Sequence, residues 1–380
     1  MRIGRVSTAF LPSHDGMAHH VFGLSQEQVR RGHDVTLFQP HLPDGWESGI
    51  RLYNVSTWPC LHGTKRAYLL FCLRSAAMVW RAHRQENFHL LHAHGDFMEA
   101  FVLGSVGRFL GLPTVLTIHA GLNRRRSYTL LGRIGFHCVD RIIAVSPPIR
   151  DDLCSRFGLT PDRVQMISSG IHWRLLAQPD GEQRNDLRRT LGLPDEAILV
   201  ITVGALDPMK GHQYLIDAAR HLQSRDNLRF FFVGSGPHQA ALCERAASDV
   251  RIRLVGQRGP AEVVHYLRCA DMFVLPSVDL PGKREGTPTA LMEAMAVGLP
   301  VIVTDSGGMP FLVENGTNGY IVPQRNARAL ASQIALLADH PELRWSMGER
   351  NRLKVKDRDW SVISKAVEDV YRLSLGPHDR

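Results

Sequence analysis

The sequence predicts an α/β protein made of two doubly wound domains, and three observations carry that expectation. At 380 residues the chain outgrows a single hydrophobic core, which points to two domains of roughly 170–190 residues each. Apolar runs of roughly four to seven residues alternate with helical patterns of about 10–17, the rhythm of βαβ units and parallel sheets. That rhythm pauses over Ser168–Asp195, where Gly170, Pro179-Asp180-Gly181 and Pro194 read as an interdomain connection.

In chain order, the strands of the first half fall at Ile3–Ser7, Asp34–Phe38, Leu90–His92, Thr114–Ile118, Arg141–Val145 and Val164–Ile167. Each is short and apolar, as suits a parallel strand buried on both faces. The helix Ala18–Arg30 is ended by Gly32 and the helix Pro147–Phe157 by Gly158, glycine being the usual helix stop. After the pause, strands resume at Ile198–Val203, Arg229–Val233, Ile252–Val255, Met272–Leu275 and Val301–Thr304. A last helix, Trp360–Leu375, is expected to fold back on the first domain. The expected division is 1–175, 176–358 and a returning helix in 359–380. Doubly wound domains bind ligands outside the carboxyl ends of their strands, so a central cleft faced by both domains is the expected site.

Composition excludes several classes. The apolar fraction of 44% and charged fraction of 22% are those of an ordinary globular protein. Met1–Phe10 reads as a buried strand and not a signal peptide, because no uninterrupted apolar run follows its arginines. The best membrane-span candidate, Ala67–Trp80, is too short and carries Arg74. Cys60, Cys72, Cys138, Cys154, Cys243 and Cys269 show neither C-x-x-C nor metal spacing and read as reduced thiols of a cytosolic protein. The formal charge of +8 asks for an anionic partner. No nucleic-acid-binding pattern is present, so an anionic membrane surface or substrate is expected instead. Lys65–Arg84 mixes Lys65, Arg66, Arg74, Arg81 and Arg84 with Tyr68, Phe71, Trp80 and several leucines, and Arg124-Arg125-Arg126 follows a glycine turn. An interfacial helix uses that mixture. A core helix with a solvated basic face has the same sequence, and both readings stand.

The most informative stretch is 276–303, Pro-Ser-Val-Asp-Leu-Pro-Gly-Lys-Arg-Glu-Gly-Thr-Pro-Thr-Ala-Leu-Met-Glu-Ala-Met-Ala-Val-Gly-Leu-Pro-Val-Ile-Val. Glu285 lies in a Gly/Pro-rich loop after a strand, and Glu293 lies inside the helix that the loop opens. Such carboxylates suit the hydroxyls of a sugar or ribose, while the helix start suits an anion. The block resembles the donor-site signature of the retaining GT-B glycosyltransferases of family 4, a Glu-(seven residues)-Glu pattern ending in E-A-M-A-x-G-x-P-V.

The resemblance runs from about Arg2 to Trp360 and extends to other motifs. Gly16–Phe38 is similar to the family's opening, whose glycine loop lies under the diphosphate, although Asp15 stands where the first of two glycines is usual. His119, closing a strand, matches the family histidine that contacts the donor sugar, with Ala120 in place of the common Asp. Val203–Gly211 resembles V-G-R-L-x-x-x-K-G, in which Arg and Lys neutralise the leaving diphosphate. Lys210 is present and Ala205 replaces the Arg, with Lys283 or Arg284 as substitute cations. Phe232–Pro237 matches V-G-x-G-P, and the loop after Val255 implies a place near the base for Arg258. His89, His92 and His94 invite a metal, yet no carboxylate or cysteine at ligand spacing supports one. Asp357-Arg358-Asp359 reads as a helix boundary.

The resemblance implies a GT-B fold of two Rossmann-like domains and a hexose transfer from a UDP- or GDP-sugar to a saccharide or lipid-linked acceptor. The 283–300 wording is similar to exopolysaccharide and colanic-acid-type transferases, which implies bacterial surface polysaccharide synthesis in the cytoplasm or at the inner face of the plasma membrane. His119, Glu285 and Lys210 are the implied catalytic residues. Gly16, Lys210, Arg258, Gly286, Thr287, Leu291 and Glu293 are implied for the donor nucleotide, with no metal and no other cofactor. Two rivals keep much of this set: a GT-B nucleotide-sugar epimerase or hydrolase, and a non-catalytic nucleotide-sugar-binding homologue.

Overall fold

A computed structural model of the chain describes residues 1–9, 16–41, 49–55, 65–122, 126–177, 181–281 and 284–375. Its first half alternates β1 (Arg2–Ser7), α1 (Gly16–Arg30), β2 (Asp34–Gln39), β3 (Arg51–Asn54), α2 (Lys65–Glu86), β4 (Leu90–His94), α3 (Phe97–Leu110), β5 (Thr114–Ile118), α4 (Arg126–Phe136), β6 (Arg141–Ala144), α5 (Pro147–Phe157) and β7 (Val164–Met166). The strands form one parallel sheet in the order β3-β2-β1-β4-β5-β6-β7.

The second half runs α6 (Trp173–Leu176), α7 (Gly181–Thr190), β8 (Ile198–Val203), α8 (His212–His221), β9 (Leu228–Val233), α9 (Gln239–Ala246), β10 (Ile252–Gly256), α10 (Pro260–Cys269), β11 (Met272–Leu275), α11 (Thr289–Val297), β12 (Val301–Thr304), β13 (Gly319–Val322), α12 (Ala327–Asp339) and α13 (Pro341–Lys354). Its sheet is also parallel, ordered β10-β9-β8-β11-β12-β13. Both orders reverse beside the first strand of the sheet, the doubly wound arrangement that the sequence predicts. The chain then returns through α14 (Trp360–Ser374). It divides into one unit of Met1–Gly170 with the segment from Trp360, and a second of Ile171–Asp359.

In the first unit, strand alternation builds two apolar layers. Leu90, Val115 and Ile143 pack with Val21, Leu24, Trp360 and Val367 of α1 and α14. Leu91, Leu116 and Ile142 pack on the other side with Phe71, Leu103, Phe136 and Phe157. The indole of Trp360 fits only because Gly23 and Gly170 lack side chains: a Cβ on either would sit 2.4 Å from it. Arg31 reinforces this seam by donating to both carboxylate oxygens of buried Glu368, at 2.7 and 3.0 Å.

The structure departs from the sequence expectation in three places. The strands β3 and β13, each four residues long at a sheet edge, escape a pattern search tuned to longer apolar runs. Ser168–Asp195 is not an irregular connection, since it holds α6 and α7 and most of it belongs to the second unit. The strand at Leu90 continues to His94, because both histidines are buried in the sheet despite their polarity.

Candidate functional site

In the second unit, loops from the carboxyl ends of β8, β10 and β11, with the helix α11 that follows β11, carry the predicted donor residues. Asp207 caps a short 3-10 turn, Pro208–Lys210, by accepting from Met209 N–H at 2.8 Å. Gly211 follows at φ +66, where a Cβ would lie 2.0 Å from the carbonyl oxygen of Pro276. The backbone bond from Val278 N–H to Met209 O, 2.7 Å, holds the two loops together, so glycine is needed at that approach. Lys210 is thereby brought to Glu285: Nζ lies 2.5 Å from Oε1, and Ser277 Oγ donates to the same oxygen at 3.0 Å. Glu285 is 8% exposed. Behind it, Gly307 at φ +55 passes so close that a Cβ would meet the Glu285 carbonyl at 2.2 Å.

Glu293 lies inside α11 and has no hydrogen-bond or ion-pair partner among the described residues. Burial pushes its carboxyl up to about 7, while part of its surface still reaches solvent. A half-hidden carboxylate without a partner costs the fold stability, and such groups concentrate at ligand sites. Gly286 is buried and bonded through its carbonyl to Gly308 N–H at 3.0 Å, and Thr287 is half-buried.

Two predicted residues are engaged within the fold. The side chain of Leu291 is fully buried in the core of this unit, so only its backbone, in the first turn of α11, is left for a nucleotide. Arg258 is engaged by its own neighbourhood, donating to Val255 O at 3.2 Å and to Glu262 Oε1 at 3.3 Å. Ala205 is exposed at its loop. Of its proposed substitutes, Arg284 pairs with Asp279 at 3.2 Å, and Lys283 lies outside the described residues.

The first unit holds the remaining two predicted residues, Gly16 and His119. Gly16 is exposed at the start of α1, and His14-Asp15 before it lie outside the described residues. His119 follows β5 and meets His94 at the end of β4, Nε2 to Nδ1, 3.0 Å. His20 from α1 packs edge-on against His119 at 4.6 Å between ring centroids, and its Nδ1 is 3.2 Å from Ser169 Oγ. His92 joins a buried polar network, with Nδ1 2.6 Å from Tyr371 OH and Nε2 2.7 Å from Thr117 Oγ1. Arg5 completes that network, donating to Gln28 Oε1 at 2.5 Å, to Tyr371 OH at 3.0 Å and to Ser25 Oγ. Burial holds His20, His92 and His94 well below the usual imidazole range and lowers His119 to about 3, so all four rings are neutral at pH 7. Of the histidines that invited a metal in sequence, His89 bonds Arg2 at the opposite end of β4. Sequence spacing missed His20 and Ser169, which are 149 residues apart and carry no local signal.

The chain matches known families over most of its length. Residues 183–354 match the family described as "Glycosyl transferases group 1", and residues 14–172 match "Glycosyltransferase Family 4". The chain is 33% identical over 391 residues to the D-inositol 3-phosphate glycosyltransferase of Corynebacterium glutamicum, covering 94% of this chain and 91% of that one. It is 38% identical over 234 residues to the "Putative colanic acid biosynthesis glycosyltransferase WcaL" of Salmonella typhimurium, covering 59% of this chain and 55% of the other. Among solved structures, Anabaena Alr3699/HepE in complex with UDP shares the fold at a TM-score of 0.81 and 18% identity, over 98% of this chain and 100% of that one. Both units are the Rossmann-like α/β units of the GT-B fold, and the chain belongs to the family 4 glycosyltransferases.

Proposed function

We propose that this protein moves a hexose from a UDP- or GDP-sugar to a saccharide or lipid-linked acceptor with retention of configuration, in the synthesis of a bacterial surface polysaccharide. The observation that carries the donor assignment is Glu293, an unpartnered carboxylate at the carboxyl end of a doubly wound sheet. Its two oxygens suit the adjacent hydroxyls of a ribose. Glu285 binds hydroxyls of the transferred sugar. Lys210, already beside Glu285, turns toward the diphosphate as negative charge grows on the leaving oxygen, a contribution of about 2–4 kcal/mol. The first-turn N–H groups of α11 add their dipole, so the diphosphate charge is met without a metal. His119, neutral and aligned by His94, orients the sugar. The leaving phosphate itself takes the acceptor proton, with attack from the same face.

A membrane-bound acceptor is supported by the outer surface of α2, α3 and α4, which pack as successive neighbours. Leu69, Leu73, Phe101, Phe109, Leu130, Leu131 and Ile134 are exposed there, among the exposed Arg66, Arg81, Arg84, Arg108 and Arg133. The only acidic residues of these helices are Glu86, bonded to Tyr53 and Thr36, and the fully buried Glu99. Apolar and cationic groups without exposed carboxylates suit an anionic leaflet. No helix among the described residues is long and apolar enough to cross a membrane. A thermal-shift panel of UDP, GDP, ADP and CMP tests the donor site: selective stabilisation by one uridine or guanosine diphosphate supports it, and no shift with any nucleotide refutes it.

A further inference from the structure

The first unit contains an imidazole cluster that sugar transfer accounts for only in part. One ring nitrogen from each of His20, His94 and His119 lies within 4.8 Å of the others. His20 Nε2 is buried with no hydrogen-bond partner among the described residues, and His94 is buried beside it with Nδ1 turned to the cluster. Both side chains are at most 1% exposed, and a polar atom so enclosed is costly unless something binds it. We propose that His20, His94 and His119 form a reversible binding site for an imidazole-preferring divalent cation of the zinc class.

The donor set decides the metal. Three neutral nitrogens with no carboxylate suit zinc, copper or nickel, whereas magnesium and calcium require oxygen ligands. A tetrahedral ion with bonds of about 2.0–2.1 Å needs its nitrogens about 3.3–3.4 Å apart. His94 Nδ1 and His119 Nε2 are already at 3.0 Å, and the widest separation of 4.8 Å has to close by roughly 1.4 Å, a side-chain rotation. His20 is held from outside by Ser169 at Nδ1, which leaves Nε2 for the ion, the usual support of a metal-bound imidazole. His94 and His119 share one proton in the free protein. On binding, the ring that donates it moves its proton to its other nitrogen, so two lone pairs face the metal and no proton is lost. His119 alone of the three is partly exposed, which leaves a coordination position open to water or an anion. Arg5, buried close enough to act on His20 and His94, opposes any cation there, hence a reversible site and not a permanent structural zinc. Occupancy would withdraw His119 from the sugar and make zinc an inhibitor. That consequence rests on the proposed function, and the site itself does not.

The test is a zinc titration of the full chain against a chromophoric chelator, repeated with His20→Ala and His94→Ala. One equivalent should bind to the unaltered protein, and each variant should weaken it by at least tenfold. Should a variant misfold, cobalt(II) added to the unaltered chain supplies a second readout, through the intense visible bands of a tetrahedral nitrogen-bound ion. Equal zinc affinity in the unaltered and variant proteins, or only the weak absorption of octahedral cobalt, would overturn the site. Inhibition that tracks zinc occupancy supports the withdrawal of His119. Bound zinc with undiminished turnover overturns that consequence and counts against His119 at the sugar, while UDP and GDP binding, measured separately, judges the donor site independently.

Discussion

Replacing Glu293 by Gln separates a binding carboxylate from a structural one, because the two roles predict opposite signs. Burial raises this carboxyl from 4.5 to about 7. Below pH 4.5 both the folded and unfolded chains hold the proton and the residue costs nothing electrostatically. Between 4.5 and about 7 the folded state binds more protons than the unfolded one, so stability falls as pH rises. Above pH 7 the full penalty is present, up to roughly 3 kcal/mol. Glu293→Gln removes the ionisation and keeps the shape. The variant should therefore match the unaltered protein near pH 4.5 and exceed it by up to roughly 3 kcal/mol at pH 8 in urea unfolding. Loss of a charged acceptor for ribose hydroxyls should meanwhile weaken nucleotide binding about 10- to 100-fold in calorimetry. In the unaltered protein, affinity should rise with pH up to about 7 and then level off, since the free carboxyl must lose its proton to accept both hydroxyls. A variant less stable at pH 8, or one that binds nucleotide unchanged, would refute this reasoning.

Five further outcomes are expected. Lys210→Ala should lower turnover by about 10²–10³-fold, measured as nucleoside diphosphate release, and near-normal turnover would mean that another group meets the leaving charge. Ala205→Arg should tighten UDP or GDP binding by about tenfold through one added charge-assisted hydrogen bond, and unchanged affinity would show that the exposed position does not face the phosphates. Gly23→Ala pushes a methyl against Trp360 and should destabilise the fold by about 1–3 kcal/mol without changing nucleotide affinity per folded molecule. EDTA should leave turnover intact, and sedimentation with anionic liposomes should fall sharply as salt rises, by about 1 kcal/mol for each basic residue screened from the leaflet. Turnover that requires added manganese, or liposome binding indifferent to salt, would contradict those two claims.

Most of the fold was legible because parallel strands buried on both faces leave a plain apolar trace, and Val301–Thr304 and Met272–Leu275 fall where that trace lies. The edge strands were not, since Arg51–Asn54 has only two apolar residues and Gly319–Val322 opens on the end of Asn315-Gly316-Thr317-Asn318-Gly319, which reads as a turn. In the donor half, the spacing of Glu285 and Glu293 survives as local geometry, and it is readable because one loop and one helix carry both. The Lys210–Glu285 pair crosses 75 residues; the loop composition pointed to Glu285, and resemblance alone named Lys210. The histidine cluster was beyond reach. Its members come from α1, β4 and the end of β5, and only strand pairing and the packing of α1 bring them together.

The central claim is tested most directly by nucleoside diphosphate release from a panel of UDP- and GDP-sugars, with and without lipid-linked saccharides from a polysaccharide-producing bacterium. The account predicts release from one donor that depends on the acceptor fraction and collapses in Lys210→Ala. Release that is equally fast without acceptor would make the protein a hydrolase or epimerase. No release from any donor, despite nucleotide binding, would make it a non-catalytic homologue.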